Sequence, residues 1–324
     1  MLRRRTFLGL GAAAITASAR GAVGAAVPYP IRPIRLIVGF SAGGNTDIVA
    51  RLIGEWLARQ MGQPFIVENR AGAATNIATE QVIRAPADGY TLLVSSTSNA
   101  INASLYRNLK FDFIRDTEPI AAIAITPLVM CVNPSFPART VSEFITRAKA
   151  SPGELNCASS GLGSPPHVAA ELFMAMTDIR MLHVPYRGDM EAITDLVAGR
   201  VSAYFATLTG SIQFIHAGSL RALAVTASER SSALPEIPAM AEFLPGYDAT
   251  IWNGLNAPKG TSRAIVAELN RQVNAGLADP NLTARFLEFG ARVRPGSPGD
   301  YARLVADETE KWSAIVKSTG SQLE

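Results

Sequence analysis

The stretch Ile34-Arg35-Leu36-Ile37-Val38-Gly39-Phe40-Ser41-Ala42-Gly43-Gly44-Asn45-Thr46-Asp47 decides the fold class. Its first five residues are rich in β-branched side chains and read as a buried strand. Beyond Asp47, the residues Ile48, Val49, Leu52, Ile53, Trp56 and Leu57 recur at helical spacing and form one apolar stripe. Strand, glycine turn and amphipathic helix in that order open an α/β unit with a parallel sheet. Gly43 and Gly44 let the backbone approach a bound group, and the helix start offers unpaired N–H donors to an anion. The spacing fits neither a dinucleotide fingerprint nor a P-loop. The turn therefore suits a small anion such as a carboxylate, and an ordinary strand–helix turn is the other reading the residues allow.

The chain ahead of this unit is an address. Arg3-Arg4-Arg5-Thr6-Phe7-Leu8 precedes an apolar, alanine-rich stretch, with small residues fit for cleavage at Ala17-Ser18-Ala19 and Val23-Gly24-Ala25. Arg4-Arg5-Thr6-Phe7-Leu8 resembles a twin-arginine export signal, and a Sec signal with a basic start also predicts export. Residues 1–26 are thus expected to be removed. The stretch is too short to span a membrane, and no later segment reaches about 18 uninterrupted apolar residues. The whole-chain charge of +3 includes four arginines of this segment, so the remainder is near neutral and slightly acidic. That excludes nucleic acid as a partner on charge grounds and gives no basic face for a membrane.

Cys131 and Cys157 sit in apolar strand-like runs, which fits buried free thiols better than a disulfide. Neither lies near the cleavage region, so a lipid anchor is not expected. About 300 mature residues suit two domains or one large one. Strand-like and helix-like segments alternate through most of the chain. The apolar run Ile120 to Val132 is long enough to carry the chain from one domain to another, and Ala249 to Ala257 reads as the return crossing. The C-terminal part carries two helical stripes, one through Ile265, Leu269, Val273 and Leu277, the other through Tyr301, Leu304, Val305, Trp312 and Val316.

A second turn, Ser159-Ser160-Gly161-Leu162-Gly163-Ser164-Pro165-Pro166-His167, again joins a strand to a helix. Ser164 reads as the N-cap, with Pro165 at the first helical position. Ligand donors there come from loop amides, serine hydroxyls or His167, which the helix dipole keeps neutral. A capped helix whose histidine only packs on the loop is the bland alternative. Arg187 could pair with a carboxylate or simply face solvent, while His183 reads as a core histidine and His216 as a helix C-terminal residue. No G-x-S-x-G elbow and no H-E-x-x-H is present, and the cysteines do not form a metal-spaced pair with histidines. No catalytic residue, metal or cofactor is therefore expected.

Several phrases occur in order along the mature chain: Tyr29-Pro30, Phe40-x-Ala42-Gly43-Gly44-x-x-Asp47, Val67-Glu68-Asn69-Arg70-x-Gly72, Asp88-Gly89-Tyr90-Thr91-Leu92-Leu93, Ser160-Gly161-x-Gly163-Ser164-x-x-His167, Val184-Pro185-Tyr186-Arg187-Gly188 and Leu223-Ala224-Val225-Thr226. As a set they resemble the Bug/TctC family, the periplasmic solute receptors of tripartite tricarboxylate transporters. The resemblance implies an α/β, two-lobed type II periplasmic binding protein fold with two crossing hinge strands. Residues 27–128 and 252–324 would form domain 1, and 129–251 domain 2. It implies a ligand loop of Phe40, Ser41, Ala42, Gly43, Gly44 and Asp47, with Asp47 pinning the helix start or orienting a water. Ser95 and Ser96 would line the same side; Ser160, Gly163, Ser164, His167 and Tyr186 would come from domain 2.

One departure concerns Ala206, where many members carry an aspartate. If that aspartate meets an ammonium in amino-acid receptors, its absence counts against an amino-acid ligand. The function implied is capture of a small organic carboxylate in an interdomain cleft by a periplasmic monomer, and its delivery to the membrane subunits. An exported hydrolase using Ser164 and His167, and a carboxylate receptor for a signalling partner, are the rival readings.

Overall fold

A β-branched run, a turn with one left-handed glycine and a 17-residue amphipathic helix build the first unit of the computed structural model, which describes residues 29–319. The export segment lies outside the described residues. Strand β1 (Ile34–Val38) leads to helix α1 (Asn45–Met61), which ends at Gly62 in the left-handed conformation. Val49, Leu52, Ile53 and Leu57 of the anticipated stripe are buried, while Ile48 and Trp56 flank them half-buried. Burial on this scale stabilises by about 1.5–3 kcal/mol per large aliphatic side chain. Next come β2 (Phe65–Asn69), α2 (Asn76–Ile83), β3 (Thr91–Ser96), α3 (Thr97–Leu105) and the single turn α4 (Phe113–Asp116).

The anticipated crossing strand is β4 (Thr117–Val132). The second lobe then runs α5 (Val141–Ala150), β5 (Asn156–Ser159), α6 (Pro165–Thr177), β6 (Leu182–Pro185), α7 (Asp189–Val197), β7 (Ala203–Thr207), α8 (Leu208–His216) and β8 (Arg221–Val225). The return strand β9 (Thr250–Pro258) is followed by α9 (Arg263–Leu277), α10 (Pro280–Glu288), β10 (Arg292–Val293) and α11 (Pro298–Thr319). The strands run in the order β2-β1-β3-β9-β4-β7-β5-β6, with β8 and β10 also pairing β4. Pairing is parallel within β2-β1-β3 and β7-β5-β6, and antiparallel wherever β4 or β9 takes part.

Two crossing strands join the lobes. Thr117 to Pro127 of β4 pair with β9, and from Leu128 onward β4 pairs with β7 and β8. The switch falls just after Pro127, which has no N–H to give a ladder. Thr226 closes the gap: its hydroxyl accepts from Leu128 N at 2.9 Å and donates to Ala249 O at 2.6 Å. Both cysteines are buried free thiols.

Helices α2, α3, α5 and α10 have no counterpart in the sequence reading. Ser95 and Ser96 end β3, and Thr97 starts α3. Its polar residues Thr97, Ser98, Asn99 and Asn102 are all buried, so tertiary burial overrides what their propensities suggest.

Candidate functional site

Gly43 takes a φ of +82°, which only glycine adopts freely, while Gly44 is extended at φ −82° and caps α1 without a side chain. The backbone at Gly44 is therefore open to any residue, and a steric limit there comes from packing alone. Beneath the turn, Asp47 accepts from Gly43 N at 2.9 Å and takes a two-pronged contact from Arg51, both prongs at 2.9 Å. Asn69, at the end of β2, donates to Asp47 Oδ1 and to Phe40 O, each at 3.0 Å. Burial alone would raise the Asp47 pKa, but Arg51, the Gly43 amide and Asn69 together hold it below the usual carboxylate range. Asp47 thus pins the loop from behind. Asn69, quoted above only as part of a phrase, shares that work.

On the second turn, Ser164 caps α6: its Oγ accepts from His167 N at 3.4 Å and donates to Gly161 O at 2.7 Å. The His167 ring accepts at Nδ1 from Gly163 N at 3.3 Å and lies 4.3 Å, centroid to centroid, from the ring of His183. His183 Nε2 in turn meets Ser159 Oγ at 2.6 Å. Desolvation, aided by His183, pushes the His167 pKa down to about 3. The imidazole is neutral, as anticipated, but burial rather than the helix dipole is the main cause. No bond joins Ser164 Oγ to the ring, so the serine–histidine pair of the hydrolase reading does not form.

This burial has a pH consequence. The unfolded ring titrates near pH ~6.5, so as pH falls the unfolded chain takes up the proton first and stability drops from about pH 6.5 toward 3. Between pH 6.5 and 5 the loss from this ring is about 2 kcal/mol. Thermal unfolding at pH 7 and 5 should therefore show a larger drop for the native chain than for His167→Gln. An equal drop in both would rule the ring out as the source.

Each turn meets the opposite lobe. Ser41 Oγ donates to Arg187 O at 3.2 Å and lies 3.3 Å from Glu191 Oε1. Asn45 Nδ2 donates to Thr126 Oγ1 on β4 at 3.1 Å and to Thr209 Oγ1 on α8 at 3.0 Å. Asn45 N points at Asp189 Oδ2 of α7, 3.4 Å away. Gly163, at φ +80°, is pressed so closely on Leu105 and Asn102 that a Cβ would fall 2.6–2.8 Å from them.

At this junction lies a cavity of about 20 Å³ lined by residues that include Phe40, Asn45, Ser96, Ser160, Asp189 and Thr207. Asn45 Oδ1 and Ser96 Oγ are buried there without a hydrogen-bond partner. A wider cleft of about 520 Å³ shares Phe40 and Ser160 and adds Ala71 to Ala74, Tyr106, Tyr186 and Arg187. Ala73, Ala74 and Thr75 all have positive φ, a costly run of non-glycine residues at the cleft wall. Among the described residues no group of three or more His, Cys, Asp or Glu is placed to hold a metal.

Of the anticipated residues, Phe40, Ser96, Ser160 and Tyr186 line these spaces, and Ser41, Ala42, Gly43 and Gly44 form the turn at their edge. Others are placed elsewhere. Ser95 turns into a buried network with Tyr301 Oη at 2.6 Å and Asn256 Oδ1 at 2.7 Å, because successive residues of β3 face opposite sides. Ala206 is buried in the second lobe's core beside Val129. Gly163, Ser164 and His167 shape the second turn or the lobe contact, and none lines either space. Asn45, Thr207 and Asp189 were missed. They carry no motif, and only the approach of the lobes brings them together.

The family model described as tripartite tricarboxylate transporter family receptor matches residues 49–321. Protein BugT of Bordetella pertussis is 37% identical over 298 residues, covering 91% of each chain. Among solved structures, R. palustris Rpa4515 with adipate is similar at 38% identity and a TM-score of 0.88, over 90% of this chain and 98% of that one. MatC (Rpa3494) from Rhodopseudomonas palustris with bound malate has 32% identity and a TM-score of 0.85, over 89% and 100%.

Proposed function

The chain belongs to the tripartite tricarboxylate transporter receptor family, and on that premise we propose that it captures a small organic carboxylate between its lobes and delivers it to the membrane subunits of such a transporter. The similar proteins are solute receptors, and this chain is a receptor rather than an enzyme. The observation that carries the reading is the wider cleft between the lobes, where Phe40 at the start of the first glycine turn faces Ser160, Tyr186 and Arg187 of the other lobe. Adipate and malate in two similar structures support the same solute class.

We divide the lobes as 27–128 with 252–324 and 129–251, in keeping with the change of partners in β4 at Leu128. No helix among the described residues is long and apolar enough to cross a membrane. The mature protein is read as a periplasmic monomer, freed of residues 1–26 and without a lipid anchor.

Mass spectrometry of copurifying solute, followed by calorimetry with mono- and dicarboxylates including adipate and malate, tests the capture step. At least one is expected to bind stoichiometrically without turnover. Turnover, or no binding by any carboxylate, would overturn the reading. For delivery, uptake into vesicles holding the membrane subunits should require this protein. Uptake independent of it, with binding intact, would favour the signalling partner.

A further inference from the structure

Asp189 opens α7 and is only 6% exposed, yet it lines the small cavity between the lobes. Three neutral donors reach its carboxylate: the Tyr204 hydroxyl, the Thr207 hydroxyl at 2.8 Å and Asn45 N at 3.4 Å. The other group acting on it is Glu191, a second acid, and no cation is among the groups that act on it. Removal from water disfavours its charge and raises its pKa, which the three donors oppose. A carboxylate has about four lone-pair positions, so these contacts leave room for one more donor.

The same cavity holds a second demand for a donor. Asn45 also lines it, and its Oδ1, which can only accept, is buried without a partner while its Nδ2 is held by Thr126 and Thr209. A carboxylate and an amide oxygen together call for a group that is both positive and a multiple donor. The room available also sets a limit. About 20 Å³ exceeds the roughly 10–15 Å³ that one water needs, and a primary ammonium is of similar size, whereas a carboxylate would meet like charge. The body of a solute would fit the 520 Å³ cleft that shares Phe40 and Ser160.

Resting on the carboxylate-receptor reading, we propose that this cavity is an ammonium subsite and that Asp189, with Asn45 Oδ1, selects solutes carrying a primary ammonium beside the carboxylate. Asp189 then supplies, from the start of α7, the acid that Ala206 lacks on β7. The sequence argument against an amino-acid ligand loses its footing, because the missing charge enters from another element.

Calorimetry on the purified full-length mature chain with two matched sets tests this: succinate, malate and aspartate; adipate and 2-aminoadipate. Hydrogen bonds to a buried charge predict tighter binding of the amino member by about 10- to 100-fold within a set, with the hydroxyl member between. Asp189→Asn should compress that ratio to within about threefold, with circular dichroism confirming that the variant folds. Asp189→Ser also removes the charge and should compress the ratio likewise, so it serves where Asp189→Asn fails to fold. Plain dicarboxylates binding as tightly as their amino partners, or a ratio unmoved in folded Asp189→Asn, would overturn the subsite alone. If no member of either set binds, the carboxylate reading falls and the subsite with it.

Discussion

Gly44→Leu is expected to lower solute affinity about 10- to 100-fold while leaving the unfolding temperature almost unchanged. The backbone at Gly44 is extended at φ −82°, so a side chain adds no local strain to α1 or its turn. Space decides the outcome. A Cβ at Gly44 would stand 3.0 Å from Asp189 Oδ2 and 3.7 Å from Asp189 Cβ, on the opposite lobe. Asp189 cannot give way cheaply, because Tyr204 and Thr207 hold its carboxylate and the site is buried. Overpacking of this kind costs about 1–3 kcal/mol, and here it falls on the closed state rather than on either lobe's own fold. Calorimetry and small-angle scattering read the two parts: weaker binding and a more open average shape. Native affinity in the folded variant would remove the first turn from the site.

The largest loss of stability is expected from Gly254→Ala. Gly254 lies in the middle of β9, paired with Ser95 of β3 on one side and Ala122 of β4 on the other. A Cβ there would fall 2.2–2.5 Å from the ring and hydroxyl of Tyr301. That ring is 1% exposed, packs edge-on to Trp252, and its hydroxyl meets Ser95 Oγ at 2.6 Å and Asn256 Oδ1 at 2.8 Å. Neither sheet nor ring has room to move, so we expect a loss of about 3 kcal/mol. For a chain this size that is a fall in Tm of about 6–12 °C. Gly246→Ala is the comparison: φ is +87° and nothing lies within 4 Å, so only the left-handed backbone costs, about 1–2 kcal/mol. Equal falls in the two variants would show that the Tyr301 contact does not set the limit.

Both predictions rest on contacts between residues far apart in the chain, and this is where reading from the sequence stopped. The strand at 34–38, the helix stripe from Val49 to Leu57 and the Ser164-Pro165 helix start were legible because each depends on neighbours within a turn or two. The crossing strands were legible for a related reason: a long apolar run with no polar alternation has to be buried on both faces. Even the loop-pinning role of Asp47 followed from charge, since an ionised carboxylate at that place would repel a carboxylate ligand.

Tertiary structure decided the rest. Ser95 and Ser96 are adjacent and chemically alike, yet only Ser96 meets the cavity, because the pleat turns the other toward Tyr301. His167 is neutral through burial under His183, a neighbour no local rule supplies. Asp189 meets Asn45 only through the fold, 144 positions away in the chain, while Ala206 is buried in the second lobe's core. Periodicity, turn glycines and caps are short-range physics, and the sequence by itself determined the strand–turn–helix units and the hinge crossing. The cavity is made by the approach of two such units across the cleft. Only the folded chain therefore determined which polar groups are buried there and which of them still lack a partner.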